Sequence, residues 1–87
     1  MMVPTVHLNG TSAASLVEGY CNAAFGLRNA IDIICASAAP NARDFYVQGP
    51  DAYAKAAEEH RMRILKLREV LTELEQLAEL VDLQGSR

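Results

Sequence analysis

Pro40-Asn41-Ala42-Arg43-Asp44-Phe45-Tyr46-Val47-Gln48-Gly49-Pro50 separates two long helix-forming stretches of this 87-residue chain. A plain connector between two helices needs only a few turn residues. This one gathers aromatic, guanidinium, carboxylate and amide groups in a chain otherwise dominated by Ala, Leu and Glu. Three of the five aromatic residues, Phe45, Tyr46 and Tyr53, lie in it or just after it. The reading is a helical hairpin whose connector is itself a binding element.

On the N-terminal side, Val17, Tyr20, Ala24, Leu27, Ile31, Ile34 and Ala38 recur at alternating spacings of three and four. That is the a/d seam of an antiparallel hairpin or bundle. The remaining faces are hardly polar. Leu16, Cys21, Ala23, Phe25, Ala30, Ile33 and Cys35 lie around the helix, and only Glu18, Arg28 and Asp32 carry charge. A helix apolar on most sides must be covered on most sides. One partner helix cannot do that, so an oligomeric bundle is expected.

On the C-terminal side, Ala57, His60, Ile64, Leu67, Leu71, Leu74, Ala78 and Val81 keep the same alternation, widened by Val70, Leu77 and Leu80. Five basic and two acidic residues lie between Lys55 and Arg68, then five acidic residues and no basic one from Glu69 to Asp82. Carboxylates near a helix C-terminus oppose its dipole. Antiparallel pairing of two copies would set each acidic half beside a basic half; the alternative is two solvated faces. The expected architecture is all-α. An extended arm covers 1–10 and a first helix 11–38, capped by Thr11 or Ser12. The connector covers 39–50, a second antiparallel helix 51–83 and a tail 84–87. Within the arm, Thr5-Val6-His7-Leu8 alternates weakly like a strand, and Asn9-Gly10 signals a turn.

Size and composition bound the function. One small domain is expected, in a range where a single core is barely sufficient. A net charge of −3 and a pI near 5.2 argue against binding a nucleic-acid polymer. They leave room for a small anion held by local donors. Cys21 and Cys35 are about 21 Å apart on one helix, beyond disulfide reach, and read as two buried free thiols of a reducing cytoplasm. No Cys-x-x-Cys or His-x-x-x-His spacing points to a metal. The start has no basic region ahead of an apolar run, so no secretory signal is expected. No stretch is apolar enough for a membrane span.

Three segments can carry chemistry. His7-Leu8-Asn9-Gly10-Thr11-Ser12 leads a turn into a helix N-terminus, whose free N–H groups form an anion site. The Thr11 and Ser12 hydroxyls add donors, Gly10 allows close approach, and His7 and Asn9 can read a base or ribose edge. The plainer reading is an arm, a turn and a cap. In the connector, Arg43 can fork onto phosphate or carboxylate, Tyr46 can stack on a base and Gln48 can both donate and accept. Against this, Arg43 and Asp44 can form a local ion pair and Phe45 can plug the hairpin end. His60 falls on the apolar seam, where an interior role competes with orienting Tyr46 or a ligand. No nucleophile has a base beside it, so no catalysis and no cofactor are expected.

His7-Leu8-Asn9-Gly10-Thr11-Ser12, Ala39-Pro40-Asn41-Ala42-Arg43-Asp44-Phe45-Tyr46 with Gln48-Gly49, and Glu59-His60 together resemble segments of a group of small phage and prophage proteins. Those proteins look like helical hairpins with HLNGTS-type and RDYY-type segments. The resemblance covers about residues 5–80. Phe45 departs from it, standing where the group carries Tyr. The resemblance implies a phage protein of the host cytoplasm, and compact acidic phage proteins of this size often look like factors with a counter-defence role. One such role is a sponge that sequesters a nucleotide-type immune signal in pockets between subunits. The alternative is an anti-CRISPR-like inhibitor that meets a protein partner through its acidic helix surface. In a hairpin the HLNGTS segment and the connector lie at opposite ends, roughly 40 Å apart, so they share a ligand only between antiparallel subunits.

Overall fold

Ser12 takes an extended backbone conformation, and its Oγ accepts the Ser15 N–H at 3.1 Å. That cap satisfies one free donor of the first turn and starts α1, Ala13–Ser37. Pro40 lies just beyond the C-cap Ala38 and cannot continue the helix. The chain restarts as α2, Ala52–Gly85. This computed structural model describes residues 1–85. Among them the only regular elements are α1, α2 and two one-turn 3-10 helices in the connector, Ala42–Asp44 and Tyr46–Gln48. The two long helices pack against each other, with their buried faces on the two seams.

Ala24, Ile31 and Leu71 form the centre, with Leu27, Ile64, Leu67 and Leu74 packed on it. Ala78 and Val81 are buried nearer the far end. Small residues at the crossing let the backbones close up. A Cβ on Gly85 would stand 2.8 Å from the Ala13 Cβ, so the start of α1 lies almost on the end of α2. Arg28 and Glu75 bridge the helices at 3.1 Å with both side chains about half exposed, worth under about 1 kcal/mol. The molecule is a rod of 61 × 20 × 17 Å with a radius of gyration of 18.7 Å. A compact domain of this length would have about 12 Å.

Several expectations need correction. Cys21 and Cys35 are free but exposed, not buried. One partner helix covers one stripe of α1, and both thiols lie beyond its edge. Ala38 is exposed too, because α1 ends there. Helix α2 runs through Gln84 and Gly85, the first half of the expected tail, and residues 86–87 lie outside the described residues. The first helix starts at Ala13 and ends at Ser37, inside the expected 11–38.

The arm forms no strand. It is held instead by one side chain. The Gln84 amide donates to the Pro4 carbonyl at 2.8 Å and accepts from the Val6 N–H at 2.9 Å. A primary amide presents the same donor–acceptor pair as a peptide group, so Gln84 serves the arm as a one-residue strand partner. Gln84→Ala removes both bonds, each worth about 0.5–1.5 kcal/mol. The expected outcome is roughly tenfold faster hydrogen exchange at the Val6 amide, with the helical circular dichroism of the chain unchanged.

Candidate functional site

At the connector end, the Asn41 Oδ1 accepts the Arg43 N–H at 3.0 Å and opens the first 3-10 turn. Phe45 ends that turn and opens the next. Gly49 closes the connector at φ 130° and ψ 168°, a region that only glycine enters without strain. These constraints divide the side chains. Phe45 turns in and is half-buried, whereas Arg43, Tyr46, Val47 and Gln48 face solvent, Tyr46 with 71% of its surface open. Among the described residues the Arg43 guanidinium makes no ion pair with Asp44 or any other group.

Two open hollows lie under the connector. One, of about 390 Å³, runs from Ser37 and Pro40 past Asp44 and Phe45 to Ala56, Glu59 and Arg63. The other, of about 260 Å³, lies among Phe45, Gln48, Ala52, Lys55 and Glu59. Lys55 and Arg63 are cations beside the connector that the reading of the sequence passed over. The spacing Lys55, Glu59, Arg63 put them on one helical stripe, which was the available signal. Arg61 faces elsewhere and is held by Glu58 through two hydrogen bonds of 2.9 and 2.7 Å. Those bonds keep the Glu58 carboxyl below its usual range and raise Arg61.

His60 is half-buried on the seam and lines neither hollow. Of its two expected roles, its position matches the interior one.

At the opposite end, the His7 carbonyl accepts the Gly10 N–H at 3.2 Å, closing the turn before the helix. The His7 ring lies over Gly10, where a Cβ would stand 2.7 Å from Nε2. Asn9, Thr11 and Ser12 are exposed beside it. The Ser12 cap already uses the Ser15 N–H, and the Ser12 carbonyl takes that of Leu16. Of the first four amides of α1, those of Ala13 and Ala14 are left to meet an anion.

The structure therefore gathers Arg43, Tyr46 and Gln48 at one end and His7, Asn9, Gly10, Thr11 and Ser12 at the other. It does not bring the two groups together within one chain. Their separation is set by α1, about 37 Å long. Among the described residues no group of three or more His, Cys, Asp or Glu side chains is placed to hold a metal ion. Among the same residues no helix is long and apolar enough to cross a membrane. No protein-family model, no curated protein and no solved structure matches the chain.

The two neighbouring aromatics should behave oppositely. Phe45→Ala uncovers the hairpin end and should cost about 1–2 kcal/mol. Tyr46→Ala should stay within about 0.5 kcal/mol of the wild type. Urea unfolding followed by circular dichroism, at one fixed protein concentration, separates them.

Proposed function

We propose that this chain is a non-catalytic binding protein that sequesters a small nucleotide-type ligand between antiparallel copies of itself. On this reading it acts as a phage counter-defence sponge in the host cytoplasm. The carrying observation is the open display of Arg43, Tyr46 and Gln48 on a connector whose backbone is fixed by Asn41 and Gly49. A guanidinium, a phenol ring and an amide supply phosphate pairing, base stacking and edge recognition. The Ala13 and Ala14 amides, with the Thr11 and Ser12 hydroxyls, add anion donors from the other copy, beside the turn that Gly10 closes. Asn9 and His7 add hydrogen-bonding groups there. No side chain in this arrangement supplies a nucleophile with its base, so the ligand is held and not turned over.

A second reading is favoured by one feature. Glu69, Glu73, Glu75 and Glu79 make the C-terminal half of α2 an acidic surface. Such a surface can stand in for nucleic acid towards a basic protein, as in an anti-CRISPR-like inhibitor or adaptor.

The test is native mass spectrometry of protein purified from a bacterial host, followed by titration with a panel of cyclic mono- and dinucleotides. The sponge reading expects released nucleotide masses in fixed stoichiometry, or saturable binding of a panel member. Arg43→Ala should then weaken binding by about 10–100-fold, with circular dichroism and native mass unchanged. Binding unaltered by that substitution removes the connector from the proposal. A chain that binds no nucleotide, but loses a basic protein partner on reversal of Glu73 and Glu79 to Lys, supports the second reading instead.

A further inference from the structure

We infer that a second copy of this chain docks antiparallel on the face carrying Gly19, Gly26 and Ile33 of α1 and Val70 of α2. This deepens the proposed function, and rests on it for what the assembled ends would hold.

The face is a second seam. Each of its positions on α1 lies one residue before a position of the buried seam, and is turned about 100° from it. From Leu16 to Ser37 this row holds no charged residue, whereas Glu18, Arg28 and Asp32 all lie on other sides of α1. Its largest member, Ile33, is 62% exposed, and Val70 on α2 is 47% exposed. Nothing stands within 4 Å of where a Cβ on Gly19 or Gly26 would be.

Surface area says how much covering is missing. The chain exposes 6452 Å². A compact 9.5 kDa monomer exposes roughly 5,000 Å². The excess is about 1,400 Å², and a standard interface removes about 800 Å² from each partner. A hairpin this open is half of a four-helix bundle.

The order of residues selects a second copy as the occupant, and sets its register. Gly19 and Ile33 lie seven residues before and after Gly26. Antiparallel pairing centred on Gly26 therefore seats each Ile33 in the gap over the partner's Gly19. The Arg28–Glu75 bridge puts Gly26 near the level of Glu75 on the neighbouring helix. Val70 lies five residues before Glu75, about one and a half turns from the same axis. On wheel position, Glu59, Lys66 and Glu73 flank Val70 on this face, so the apolar part of the contact lies mainly on α1.

The register also completes the proposed site. Ser12 and Pro40 each lie fourteen residues from Gly26. The capped start of α1 then stands beside the partner's Pro40, at the foot of the connector.

Sedimentation equilibrium of the full chain tests this, using Gly26→Leu, Ile33→Asp and Met62→Asp. Met62 is on the outer side of α2, away from this face. Leu has open space at position 26 and favours helix more than Gly, so the hairpin itself should fold at least as well. The expected result is a wild-type dimer, or a multiple of it. Its dissociation constant should rise by about 30-fold or more in the first two variants and hold steady in the third. A monomeric wild type overturns the inference. So does wild-type association in Gly26→Leu and Ile33→Asp, or dissociation of Met62→Asp alone. Cyclic di-AMP and cyclic di-GMP are then titrated into the same samples. A wild-type dimer that binds neither, with association lost at Gly26 and Ile33, supports the interface while counting against the nucleotide reading. A Gly26→Leu monomer that binds either as tightly as the wild type overturns the shared site.

Discussion

Two helices pressed together can cover only one stripe of each, and everything else about this molecule follows from that limit. The seam around Ala24, Ile31 and Leu71 is thin because its residues are small or medium aliphatics. At about 25 cal/mol per Å² such side chains contribute little each. The hairpin is therefore long, narrow and open, and leaves Ile33, Val70, Phe25 and Leu65 at the surface. Size alone would allow a compact fold, but a chain of two helices without a third layer does not reach one.

The same limit decides where binding groups can sit. The flanks of the rod are helix surface, so irregular backbone is confined to its two ends. Each end is stiffened by a few local bonds. At one, Asn41 and Gly49 shape the connector, and half-buried Phe45 fastens it to α2. At the other, Gln84 holds the arm and Ser12 caps α1. Fixed backbone with exposed side chains is the arrangement expected of a preorganised binding surface. Separating these groups along α1 makes association part of any site that uses both.

The helices and their buried seams were legible in the sequence, because the three-four alternation runs unbroken through both. Every α2 seam position from Ala57 to Val81 is buried or half-buried. The cysteines were misjudged because composition says a thiol tends to be inside, while only the width of the covered stripe says whether there is an inside to reach. The arm read weakly as a strand because its alternation is genuine. What it lacked was a neighbouring strand, and the Gln84 amide that replaces one is eighty residues from Pro4. Lys55 and Arg63 were overlooked as part of a general basic half, since a charge run does not show which members turn towards a connector. His60 sat on the seam in both the pattern and the fold, and position alone gave its setting.

The account stands or falls on the arrangement of two chains, and the exposed thiol of Cys35 offers a direct ruler. A nitroxide on Cys35 of a Cys21→Ser variant reports the distance between copies by double electron–electron resonance. Cys35 lies nine residues beyond Gly26, on the opposite side of α1, so antiparallel pairing centred there separates the two outward labels by about 30–38 Å. A distribution peaking in that range is the predicted result. A peak near 15–25 Å, about what side-by-side parallel helices would give, or the absence of any intermolecular coupling in concentrated protein, contradicts the account.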